Sequence, residues 1–140
     1  MKKIFGSIAI FVLVCMTSCA GSKTMEVSQL TGKWSLVSVK GETLSFANTP
    51  FFEFNIAEKS VYGKSGCNNF NSSLTFDASN SSAISFMMPR STMMACEDME
   101  NEGKVLRSFE AVKAVQASSK EGEVVLVDEG GKEVFRLVKD

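Results

Sequence analysis

Histidine is absent from this chain of 140 residues. Without imidazole there is no Ser-His-Asp triad, no Cys-His dyad and no histidine-ligated zinc, which removes most familiar hydrolase mechanisms. A basic excess is missing too: once a leader carrying Lys2 and Lys3 is set aside, 15 − 2 = 13 bases face 16 acids, a side-chain net charge of −3. Such a chain has no cationic surface to steer it onto phosphate backbones, so no nucleic-acid partner is expected. There is no Cys-x-x-Cys pair, no internal repeat, no low-complexity tract and no alternation of strand and helix signals that would build a parallel sheet. What is present is an ordinary globular composition, 44% hydrophobic and 22% charged. Removal of an 18-residue leader leaves 140 − 18 = 122 residues, enough for one domain with a sizeable core.

The N-terminus has the form of an export signal. Met1-Lys2-Lys3 is a positive start, and Ile4 to Met16 is an apolar run of 13 residues, too short to span a bilayer. The small residues Thr17 and Ser18 precede Cys19, an arrangement that resembles the lipobox of bacterial lipoproteins, in which the cysteine is acylated after cleavage. Cys19 is therefore the expected lipidation site, with residues 1–18 removed as signal and residues 19–29 forming a flexible tether. A plain cleavable signal is the alternative. No Asp follows Cys19, which by the same resemblance favours the outer membrane over the inner. Cys15 leaves with the signal and Cys19 is acylated, so Cys67 and Cys96 remain in an oxidising compartment, where a disulfide is the economical reading. The rival is a reactive thiol pair, which lacks an evident basic or helix-start environment.

From Leu30 onward, short apolar stretches punctuated by Gly, Ser, Asn and Asp predict strands at residues 34–40, 51–56, 60–66, 69–77, 83–88, 115–118, 123–127 and 133–138. The 69–77 stretch alternates best, with Phe70, Leu74 and Phe76 on the apolar face and Ser72 the polar intruder. Trp34 and Leu36 share a face while Val37 and Val39 take the other, so that strand is either bulged or covered on both sides. Residues 97–112 carry Met99, Leu106, Phe109 and Val112 at helical spacing, widened by Val105. One amphipathic helix is expected there, with Glu97, Asp98, Glu100 and Glu102 on a solvated face near its start.

Two segments stand out from this texture: Ser65-Gly66-Cys67-Asn68-Asn69-Phe70, and Ser91-Thr92-Met93-Met94-Ala95-Cys96. Gly66 and Asn68 accept turn conformations, so the first reads as a tight connection presenting Cys67; a disulfide-pinned turn on a helix terminus accounts for both. With Trp34-Ser35-Leu36 before them and Val124 to Asp128 after, the pair resembles the META domain (DUF306) of HslJ-type heat-shock lipoproteins, over residues 30–140. The resemblance implies a mainly β fold, a small lipocalin-like antiparallel barrel of about eight strands with one helix, in bacterial envelope proteins linked to heat or antibiotic stress and without known enzymatic activity. One departure is that Asn71-Ser72-Ser73 lacks the glycine often found soon after the first motif.

The expectation is thus a non-enzymatic, lipid-anchored, monomeric envelope protein with a stress-related interaction role or a structural, assembly role, exerted through an envelope protein partner or a surface contact, and with no cofactor. Its candidate surface is Gly66, Asn68, Asn69, Arg90, Thr92, Met94 and Ala95, with Asn68, Asn69 and Arg90 as exposed contacts. One alternative is a binding module whose barrel holds a small apolar ligand. Another is a Cu(I) site formed by Met87, Met88, Met93, Met94, Met99 and Cys96, whose soft ligands suit that ion. A third is an enzyme using Cys67 or Cys96 as a redox nucleophile, or a Lys-activated Ser.

Overall fold

A computed structural model describes residues 24–140. The signal at 1–18 and the acylation of Cys19 lie outside the described residues. Among the described residues nine strands form: β1 (Gly32–Val39), β2 (Phe51–Asn55), β3 (Ser60–Lys64), β4 (Asn69–Asp77), β5 (Asn80–Phe86), β6 (Arg90–Ser91), β7 (Ala114–Ala117), β8 (Glu123–Val127) and β9 (Glu133–Lys139). The helix, α1, is Met99–Ser108, followed by a 3-10 turn at Phe109–Ala111. It is shorter than the apolar spacing predicts, because Val112 already has extended backbone and leads into β7.

The alternation that predicts β4 is realised: Phe70, Ser72 and Leu74 point inward while Asn69, Asn71, Ser73 and Thr75 face water. Ser72 is tolerated inside because its hydroxyl donates to the Met87 carbonyl at 2.6 Å. The mixed facing of β1 is resolved by a bulge: Leu36 pairs with Leu137 and Ser38 with Arg136, leaving Val37 as the extra residue. Gly63 in β3 is obligatory, since a Cβ there would lie 1.9 Å from the Phe51 carbonyl oxygen of β2.

The closed lipocalin-like barrel of about eight strands does not form. The strands are ordered β3-β2-β1-β9-β8-β7-β5-β4, with β4 returning to β3 and β6 appended to β4, so they make a ring that is not a barrel. The ladder fails between β5 and β7, which share the single pair Ala83 and Ala114. There β7 has only four residues, and the chain before β1 fills the gap instead. Thr24 bridges to Gln116, the Ser82 hydroxyl donates to the Met25 carbonyl at 2.8 Å, and Met25, Val27 and Leu30 are buried. Residues 25–29, assigned to the tether by sequence, thus belong to the folded body, and the Trp34 indole N–H locks them by donating to the Leu30 carbonyl at 2.7 Å.

Phenyl rings fill the centre of the ring. Phe109, delivered by the turn after α1, lies 5.1 Å from Phe52, 5.2 Å from Phe70, 5.2 Å from Phe86 and 5.1 Å from Phe135 between centroids. These separations suit favourable aromatic pairing, and the rings occupy the space in which an interior apolar ligand would sit. Replacement of Phe109 by Ala is expected to cost about 3–5 kcal/mol, because four rings lose a common partner and the site cannot collapse from all sides. Urea unfolding monitored at Trp34 measures this directly.

Candidate functional site

The two sequence motifs meet at one end of the ring, against the start of α1. Gly66 has φ +148°, and a Cβ there would lie 2.7 Å from Glu102 Oε1, so only glycine lets the turn approach the helix. Glu102 is 3% exposed, and its carboxylate caps the turn. Oε1 accepts the Cys67 N–H and, at 2.9 Å, the Asn68 N–H, while Oε2 accepts from Asn68 Nδ2 at 2.7 Å. The Asn68 amide is itself spent on the second motif: Oδ1 accepts from Thr92 Oγ1 and from the Met94 N–H, each at 2.8 Å, and Nδ2 also donates to the Met94 carbonyl at 3.1 Å. Thr92 Oγ1 in turn accepts the Asn69 N–H at 3.1 Å. Cys67 and Cys96 are disulfide-bonded, with Cα atoms 6.4 Å apart, which closes the assembly covalently.

This arrangement is a clamp with no free valence. Among the described residues, every buried side-chain nitrogen and oxygen has a partner. The ligand atoms of Cys67, Cys96 and Glu102 lie within 4.8 Å of one another, but the sulfurs are bonded together and the carboxylate holds the turn. Neither a redox nucleophile nor a thiolate for Cu(I) is left in this state. Of the candidate surface residues, Gly66 and Asn68 are buried, so Asn68 is a strut and not an exposed contact. Asn69, Arg90, Thr92, Met94 and Ala95 are exposed on or beside the sheet edge.

Glu102 is the residue that charge patterning misreads. It falls in the acidic first turns of α1, yet it lies three residues from both Met99 and Val105, inside the apolar stripe and off the solvated face. A carboxylate in that stripe, with a Gly-Cys-Asn turn elsewhere whose backbone N–H groups need acceptors, was the available signal.

Outside the clamp, strand register sets side chains in rows on the outer face. Lys33 pairs with Glu53, Glu53 with Tyr62, Tyr62 with Asn71, and Asn71 with Arg90, crossing β1, β2, β3, β4 and β6. Directly paired residues share a face, so these five form a continuous polar row around one exposed ring. Beside it, Tyr62, Phe51, Asn69, Asn71, Arg90 and Thr92 border an open groove of about 570 Å³ floored by backbone at Gly63 and Phe70. The Glu53 carboxylate accepts a hydrogen bond from the Tyr62 hydroxyl and raises its pKa above the ordinary value of 10.0.

Comparison with known proteins places the chain. A family model described as META domain matches residues 28–140. No curated protein matches. The fold resembles the NMR structure of a protein from Burkholderia xenovorans, at 16% identity with a TM-score of 0.63, covering 100% of this chain and 99% of that one. It also resembles the crystal structure of a DUF4847 family protein from Bacteroides vulgatus, at 12% identity with a TM-score of 0.54, covering 79% of this chain and 94% of that one.

Two outcomes are expected from the clamp and its outer face. Glu102→Ala leaves three donors without an acceptor and should destabilise by about 3 kcal/mol or more, whereas Asn69→Ala should stay within about 0.5 kcal/mol. Loss of the disulfide by Cys67→Ala/Cys96→Ala should cost about 3–4 kcal/mol for a 29-residue separation; denaturant midpoints of the three variants check the ranking. Tyr62 is the only tyrosine, so alkaline absorbance titration reports it alone. Its raised pKa keeps the phenol protonated to higher pH than in the unfolded chain, and the Glu53 contact is lost as pH rises through the folded value. Glu53→Gln should move that titration down toward the ordinary value.

Proposed function

Because the chain belongs to the META-domain family, we propose that it is a lipid-anchored protein of the bacterial cell envelope, held by an acylated Cys19, which serves a stress-related role by recognising an envelope protein partner. The domain is a non-catalytic module of that family. Among the described residues no helix is long and apolar enough to cross a membrane, and under this reading attachment comes from acyl chains, at about 0.8 kcal/mol per buried methylene. The outer membrane is the favoured location and the monomer the working state.

The observation that carries the recognition reading is the satisfied clamp. Motif groups that would otherwise attract ligands are consumed in fixing the loops, so binding falls to what the clamp holds rigid at the surface: Asn69, Arg90, Thr92, Met94 and Ala95. Asn69 and Arg90 border the outer groove from adjacent strands.

Cys19→Ala should move the protein from the membrane to the soluble fraction, and intact mass of the wild-type protein should show acylation at residue 19. Asn69→Ala/Arg90→Ala should keep its denaturant midpoint while losing crosslinked partner recovery and heat or antibiotic survival. Normal recovery and survival would place the working surface elsewhere.

A further inference from the structure

Exposed large apolar side chains are concentrated in one place. Met87, Met88, Met93 and Met94 are 64%, 67%, 88% and 50% exposed, and Met99 at the start of α1 is 49% exposed, while Met25 is 8% exposed in the core. The first four belong to the segment running antiparallel along the outer side of β4. The Met87 N–H donates to the Ser73 carbonyl at 2.9 Å, Arg90 pairs with Asn71, the Thr92 N–H donates to the Asn69 carbonyl at 3.0 Å, and Met94 is bonded to Asn68. Methionines therefore flank Arg90 on both sides along the free margin of the sheet, where the strand order ends at β6. Across β4, Lys64 pairs with Asn69. Among the described residues, neither Arg90 nor Lys64 has an anionic partner within 4.0 Å.

We propose that this methionine strip, with Arg90 at its middle, is the docking site for an amphipathic helix of a protein partner that carries carboxylates beside its apolar stripe. The proposal deepens the recognition reading above and rests on it for the partner's being a protein. Unpartnered cations in a chain with acidic excess select negative charge. Flexible, polarisable thioethers repack around varied apolar side chains, and clustered exposure of this kind is unusual on a surface with nothing to bind. Strand addition is disfavoured at this margin, because β6 is two residues long and Pro89 before it has no N–H. Contact must then pass through side chains, which suits a helix lying across the strip. From Ser73 to Asn68 the strip follows β4 for about 17 Å, the length of a helix of roughly 11–12 residues.

The test uses the mature protein with 13C-labelled methionine methyls and a synthetic helix of about 14 residues bearing a leucine stripe flanked by glutamates. The same peptide with lysines for glutamates is the control. The methyls of Met87, Met88, Met93 and Met94 should shift while Met25 stays fixed, and the glutamate peptide should bind roughly tenfold tighter than the lysine peptide. Arg90→Glu, with its circular dichroism unchanged, should reverse that preference. No methyl shift at millimolar peptide, equal affinity for both peptides, or shifts with phosphatidylglycerol vesicles but not with peptide would overturn the proposal. Loss of partner recovery in Asn69→Ala/Arg90→Ala without any methyl shift would sink the helix assignment and leave the recognition surface standing. Methyl shifts with unchanged recovery would do the reverse.

Discussion

A carboxylate taken out of water must find donors, and the end of this molecule that carries both motifs is arranged around that requirement at Glu102. Its two oxygens collect the Cys67 and Asn68 backbone N–H groups and the Asn68 amide, and Asn68 spends its remaining valences on Thr92 and Met94. A helix, a turn and the sheet margin are thereby fixed to one another through a single side chain. Removing one member of such a network strands the others in a poorly solvated place, so its parts stand or fall together. The disulfide adds a covalent limit to the same junction. Neighbouring loops join it less centrally: the Ala47 N–H donates to Asp98 and Asn101 donates to the Ser45 carbonyl, which brings the β1–β2 connection onto α1.

The same helix positions the core. Because the Glu102 contacts set where α1 begins, the turn that follows delivers Phe109 to the middle of the ring, among Phe52, Phe70, Phe86 and Phe135. Polar and apolar cohesion are therefore coupled along one short element. That coupling accommodates a weak seam at Ala83 and Ala114, where the sheet has one residue pair and the segment from Met25 to Leu30 supplies the missing cover.

Strands whose side chains alternate between core and water were legible. The ranges at 69–77 and 123–127 form as predicted, and the two-sided pattern of Trp34 to Val39 carried its bulge openly. Other features had no local signature. The pair Arg90–Ser91 is too short for periodicity, and its place beside β4 is a tertiary fact. Met25 to Gln29 hold few large residues and read as tether, because the gap they help to fill exists only once the ring has formed. The lipocalin-like barrel was expected by analogy, and a strand count does not contain the seam that makes the ring something else. At the site, residue types that favour turns identified Gly66 and Asn68 correctly as conformational devices, but exposure of Asn68 could not be judged without its partner Glu102. Charge counting hid that partner among its solvated neighbours.

The bridge between Thr24 and Gln116 also fixes where the folded body begins, at the end of the ring opposite the clamp, beside the start of β5 and the β7–β8 turn. Only five peptide steps separate Cys19 from Thr24, a leash of at most about 18 Å when fully drawn out. The nine-residue β4 carries the chain away from the clamp by more than about 20 Å even when tilted. An acyl group on Cys19 would therefore hold the body by the end away from the clamp, so that the disulfide-closed turn and the point of attachment lie at opposite ends of one sheet.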